Sequence, residues 1–285
     1  MRINPILRNE MKTDGRRFRF YVLLMLYVSL LGAPTLLVYH SIYSNNRIDA
    51  SEFVSMYVFL ACMQAIVLMF IVPALTANSI TGEREKQTLD ILLTTKMTPR
   101  GIIWGKLLGA VSKVALLIIC TMPVYAIVLF LGGIKMSHII TCNLYLMMTT
   151  IFVASMCIWI STMVKTSKFA NVTAYFLELG FIIGYPVGIM IWAGVSGILD
   201  NSTMKNAEEM IANLLCISPA TGYGSLLAGQ IMGDDSILNL TGSNLNTILP
   251  GWLIAILVEV VLTVIFLELA IRKLNPVKRK RMKRA

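Results

Sequence analysis

The chain has 285 residues, of which 56% are apolar and only 14% charged, and its mean hydropathy is +0.73. Soluble domains are about 45–50% apolar and about 25% charged, so this composition excludes an ordinary water-facing globule. The net charge of +10 could suit nucleic acid, but the positions of the basic residues give it a different meaning.

The N-terminal arm, 1–19, opens with Asn4-Pro5, an N-cap followed by proline at the first helical position. Ile3, Ile6, Leu7 and Met11 recur at helical spacing, and Gly15 can end the helix, so a short elbow helix lying in the interface plane is expected. A bilayer core about 30 Å thick needs about 20 apolar residues in helix. Spans are therefore expected at 20–39, 53–77, 107–131, 139–163, 172–199 and 252–271, each apolar all round. The fold class is an all-α polytopic membrane protein, a single transmembrane domain of six helices. The first span is too long for a signal-peptide core and lacks a small-residue cleavage site, so it is expected to remain.

Between spans 2 and 3 lies a polar segment, 78–106. Thr81 can cap a helix whose first turn holds Glu83 and Glu85, which favour the positive end of the dipole. A helix over 82–95 would carry Leu89, Leu92 and Leu93 along one edge and Arg84, Lys86, Gln87 and Asp90 elsewhere, a pattern suited to docking on another protein. Pro99 stands at the corner before Arg100. The run Gly101 to Lys106 is G-x-x-x-G-K followed by Leu107, wrong in spacing and hydroxyl for a P-loop, so no ATPase site is expected in this chain.

Lys113 in span 3 and Glu178 in span 5 stand near the cytoplasmic ends of their spans, where a mutual pair is geometrically possible and coupling to a substrate or ion is the alternative. Span 5 also carries Gly180, Gly184 and Gly188, two overlapping GxxxG units with Pro186 between the last two glycines. Such a face suits close helix packing, a subunit interface or the wall of a pathway. Pro34, Pro73 and Pro123 place further prolines in spans. The outer segment, 200–250, is long for a connection. A helical pattern at 207–216, an interruption at Pro219 and the apolar 225–229 suit a pair of short re-entrant helices acting as an outer gate. In span 6, Glu268 precedes Arg272 by one helical turn, whereas Glu259 has no basic neighbour in sequence and must face a cavity or a hydrogen-bond partner, or be protonated. The basic tail, 272–285, follows.

Of the 25 lysines and arginines, Arg47, Lys135 and Lys205 fall on one side, Lys113 lies within a span, and all others fall on the opposite side. The basic side is cytoplasmic, so both termini are. Attraction to anionic lipid, about 1 kcal/mol per basic residue, is a secondary effect, and no nucleic-acid partner is expected. The five cysteines are mostly intramembrane, and neither a CxxC pair nor a His cluster occurs, so no metal site is expected. His40 and His138 fall at outer span ends as interfacial residues, and the 18 methionines read as core filling.

Ser79-Ile80-Thr81-Gly82-Glu83-Arg84-Glu85, followed by Thr88-Leu89-Asp90 and Leu92-Leu93-Thr94, resembles the membrane permeases of type-2 ATP-binding-cassette transporters. Gly105-Lys106-Leu107 matches the family's entry into span 3, while Lys96 stands where many relatives carry proline. The resemblance extends over the whole chain. It implies a cytoplasmic coupling helix seated on a separate ATPase subunit, with Gly82, Glu83, Arg84, Glu85, Thr88, Leu89, Asp90 and Leu92 as its coupling residues. It further implies that ATP and Mg are bound by that partner and none by this chain, that a second permease subunit completes the pathway, and that the complex exports its cargo through a plasma membrane. An amphipathic or lipophilic compound, a peptide or a lipid is expected as cargo in preference to a sugar. The alternatives are a secondary transporter or channel, whose broken-helix halves or charge rings are not evident, and an intramembrane enzyme, whose clustered catalytic groups are absent from the spans.

Overall fold

The computed structural model describes residues 18–44, 50–89, 98–130, 134–196, 211, 213–232 and 250–274. The elbow helix, Asp90, Leu92, Leu93, residues 200–210, 212 and 233–249 of the outer segment, and the basic tail beyond 274 lie outside them. All regular elements among the described residues are helical, and six helical stretches are long and apolar enough to cross a bilayer. They are α1 (Phe18–Ser44), α2 (Ala50–Thr76), α4 (Pro99–Phe130), α5 (Met136–Met163), the composite of α6 (Ser167–Leu179), a π-helical turn (Gly180–Gly184) and α7 (Tyr185–Val195), and α9 (Gly251–Leu274). Two shorter helices, α3 (Thr81–Glu85) and α8 (Pro219–Met232), lie between spans.

Five of the spans match the sequence reading to within a few residues. The third starts at Pro99 instead of 107, because Thr98 caps it: its hydroxyl accepts from the Gly101 amide at 3.2 Å, and Pro99 occupies the first helical position, where no amide is needed. Pro99 is thus the start of the helix and not a corner before it. The polar Arg100 and Lys106 dilute the apolar signal over that first turn.

Helix α5 is the axis of the bundle and the most buried of the spans. It packs most extensively on α9 and α4, and also on α2, α6 and α8. Tyr27, Tyr57, Tyr125, Tyr145 and Phe152 are the bulkiest of the fully buried side chains. The opposite pattern holds for α1 and for the composite fifth span, whose outer faces expose Met25, Leu37, Phe176, Ile191 and Val195. Without lipid or a partner such surfaces would be unstable in water, so they are the faces that meet the membrane or another subunit.

Candidate functional site

After the second span, α2 stops at Thr76 and the chain turns through 77–80 into the single turn α3. Ile80, not Thr81, stands at the N-cap, and it makes no side-chain cap bond. The missing acceptor comes from elsewhere: the Ser161 hydroxyl on α5 receives the Ile80 and Thr81 amides, each at 3.0 Å. Helix α3 closes after Glu85. Gln87 adopts a left-handed φ of 57°, and the Gln87 and Thr88 amides bond back to Arg84 (3.1 Å) and Glu83 (2.9 Å), a Schellman-type ending. One continuous helix from Gly82 to Thr95 is therefore not formed. Leu89, beyond the turn, is buried in the subunit's own core.

The three charges of this turn each reach a different helix. Glu83 receives Lys106 of α4 in a partly buried ion pair. Arg84 donates to the carbonyls of Val164 and, at 3.2 Å, Thr162, completing the C-terminus of α5, where a cation is favoured. Glu85 accepts from the Ser167 amide at 2.7 Å and the Ser167 hydroxyl at 2.6 Å, capping α6 with a carboxylate at its positive end. Gly82 has nothing within 4 Å of where a Cβ would stand, so packing does not demand a glycine there. Thr88 is exposed and donates to the Glu83 carbonyl at 3.2 Å. The exposed surface of the turn is made by Glu85, Lys86, Gln87 and Thr88.

The fifth span is broken midway. Pro186 has no amide for the Ile182 carbonyl one turn earlier, and the backbone widens into the π turn, with the Tyr185 amide bonding to Gly180 O. Ser218, in the outer segment, donates its hydroxyl to Phe181 O at 3.0 Å, with Ile182 O at 3.4 Å. Gly180, Gly184 and Gly188 are exposed, and none has an atom within 4 Å of an added Cβ. None of the described residues packs on them.

The outer segment folds back into the bundle through α8. The helical pattern is interrupted at 216–218, just before Pro219, and Pro219 begins α8. Gly222 lies against α5 and α9 so closely that a Cβ would overlap Ala255 Cβ and the Tyr145 hydroxyl. Tyr145 donates to Pro219 O at 3.0 Å, and Tyr223 to Ala61 O at 3.1 Å. At the far end Gln230 receives the Tyr57 hydroxyl at 2.7 Å and donates to His138 O at 3.1 Å and Thr141 at 2.9 Å.

Below α8 lies a cavity of about 250 Å³ between α2, α5 and the fifth span. Glu178 borders it, 1% exposed, and neither of its carboxylate oxygens has a hydrogen-bond partner. No hydrogen bond joins it to Lys113, which is half-buried on α4. Glu259 is also buried, but it finds the partner the sequence called for: the Thr149 hydroxyl lies 3.2 and 3.4 Å from its oxygens. Glu268 is half-buried, 3.8 Å from both Arg272 and Arg100.

A family model described as ABC-2 family transporter protein matches residues 4–275. The chain belongs to that family. No curated protein matches it significantly. As an ABC-2 permease it is a transmembrane subunit, of a class that generally does no chemistry itself and works with ABC ATPases. Its six-helix bundle is the membrane part of such a transporter.

The permease also contains a polar knot that the sequence reading passed over. Gln64 of α2 donates to Asn143 of α5 at 3.0 Å and lies 3.4 Å from Thr121 of α4, while Tyr125 donates to its carbonyl oxygen. All four are buried. The signal was a lone glutamine in an apolar run, which in lipid must find partners on neighbouring helices.

Proposed function

We propose that this chain is the membrane half of an ATP-driven exporter, working by alternating access with a separate ABC ATPase and a second permease subunit. ATP and Mg belong to the partner. Cargo is an amphipathic or lipophilic compound, a peptide or a lipid, in keeping with the apolar cavity. Both termini and the 78–106 segment face the cytoplasm of a cell bounded by that membrane. Export, the second permease and the cytoplasmic seat of the ATPase rest on the resemblance carried by Ser79 to Thr94.

The observation that carries the reading is the junction at Glu83-Arg84-Glu85. A push on this one turn reaches α4, α5 and α6 together, through charged bonds that are strong and directional. The ATPase is read as seating on the exposed Lys86, Gln87 and Thr88 and on the stretch that includes Asp90 and Leu92. Glu83, Arg84 and Glu85, helped by Gly82 and Leu89, then hand the displacement to the spans.

The test is coexpression with an ABC ATPase, purification through a tag on the permease, and ATP hydrolysis in lipid nanodiscs. Copurification with shared turnover is expected. In Glu83→Ala plus Arg84→Ala, the ATPase should still copurify while permease-dependent hydrolysis falls by about tenfold, equivalent to about 1.4 kcal/mol of coupling. A wild-type permease that neither retains an ATPase nor alters its turnover would overturn the reading.

A further inference from the structure

We propose that the cavity beneath α8 binds an apolar molecule bearing a single ammonium group, with Glu178 as its counter-charge. That the bound molecule is cargo rests on the permease reading; the binding itself does not.

The walls are hydrocarbon, from Ala65, Leu68, Val72, Leu146 and Val153 among others. Four hydroxyls border the cavity, and each is already engaged within the chain. Tyr145 serves Pro219 O, Tyr223 serves Ala61 O, Thr150 serves Leu146 O at 2.8 Å, and Thr149 lies against Tyr145 O and Glu259. Glu178 is the exception: among the described residues both its oxygens lack a partner, and no lysine, arginine or histidine lines the space. A carboxylate so placed is costly in lipid unless something answers its charge, and buried polar atoms without partners point to a missing occupant.

The surroundings select the occupant. A hard metal ion needs about six oxygen ligands, whereas one carboxylate is on offer, and no metal-binding cluster occurs among the described residues. An anion or a neutral molecule leaves the charge unanswered. A lone ammonium supplies donors to both oxygens, and its body replaces the empty apolar volume. Since about 150 Å³ holds benzene, the space here suits about ten carbon atoms. The oxygens are sealed from water, so engagement takes a rotation about the glutamate side-chain bonds into the space that residue borders. Entry is past Cys62, which is exposed, and the half-exposed Ile66. The π turn supplies Ile182 to the opposite wall, and such turns recur at functional sites.

The experiment uses the full chain in nanodiscs of phosphatidylcholine and phosphatidylglycerol, with empty nanodiscs as reference. Radiolabelled n-octylammonium is measured by equilibrium dialysis against n-octanol of equal length. Saturable binding of the amine is expected, weakened about tenfold or more by Glu178→Gln, with octanol binding alike to both proteins. A diazirine derivative of octylammonium should label peptides of α2 and α6 in the wild-type chain, a readout that does not depend on the variant folding. Adding phosphatidylethanolamine distinguishes sources: competition assigns the site to an aminolipid headgroup, and its absence to a free amine, either of which upholds the proposal. Unsaturable binding, equal affinity in Glu178→Gln, octanol matching the amine, or labelling confined to other helices would overturn it. No ATPase is used, so failure here leaves the permease reading standing, and failure of ATPase coupling leaves this result standing.

Discussion

The guanidinium of Arg84 holds the carbonyls of Thr162 and Val164, so the turn that follows the second span is fastened to the end of the fourth. Two groups at a helix terminus that lack intrahelical partners are satisfied by one planar fork, which lysine cannot reproduce. Arg84→Ala should lower the unfolding free energy by about 2 kcal/mol, the usual worth of hydrogen bonds to a charged group. Arg84→Lys should recover only part of it. Unfolding of the purified protein in detergent, followed by helical circular dichroism, reads both.

The Ser218 hydroxyl and the missing amide of Pro186 form a second testable pair. Ser218→Ala leaves the Phe181 carbonyl without its donor, at a cost of about 1–2 kcal/mol, and faster amide exchange is expected over 180–188. Pro186→Ala restores a backbone donor and should draw the π turn toward regular helix. The Ser218→Ala cost should then shrink in the Pro186→Ala background, giving a non-additive cycle.

Gly222 permits α8 to lie on α5 and α9. Gly222→Ala should destabilise the bundle by about 1–3 kcal/mol through overpacking, and Gly222→Val more. Gly82→Ala, at an open position, should be neutral or slightly stabilising. Thermal aggregation of the two alanine variants, compared side by side, would separate them.

Membrane orientation is checked with single cysteines at Lys86 and Lys135, both exposed. In a background lacking the native cysteines, an impermeant maleimide should label Lys135→Cys on intact cells and Lys86→Cys only after the membrane is opened. The reverse pattern would invert the orientation derived from the distribution of basic residues.

The spans were readable because a bilayer imposes a length and a composition that few other structures need. What eluded the sequence was direction. Glu83, Arg84 and Glu85 announce charge, but their partners Lys106, Thr162, Val164 and Ser167 lie far along the chain, and nothing local says that the charges turn inward. Thr98-Pro99 did carry a helix-start signal, but the polar residues after it masked the continuation into the span. The glycine repeat was visible as a face, though only the fold shows that the described residues leave that face uncovered. In the sequence Glu178 had Lys113 as a possible partner and Glu259 had none, yet in the fold the outcome is reversed. Their difference depends on Thr149, which reaches one and not the other.

The inward face of α5 carries Asn143, Thr150, Ser155, Ser161 and Thr162, all buried, and its most extensive neighbour is α9, which is synthesised well after it. While the ribosome is still making the second half of the protein, α5 lacks its largest neighbour, although Asn143, Thr150, Ser155 and Thr162 can already donate to carbonyls of their own helix. The newborn helix can therefore enter lipid with those donors already satisfied, and chains truncated before α9 should reach the membrane yet lack the packing that completes the bundle.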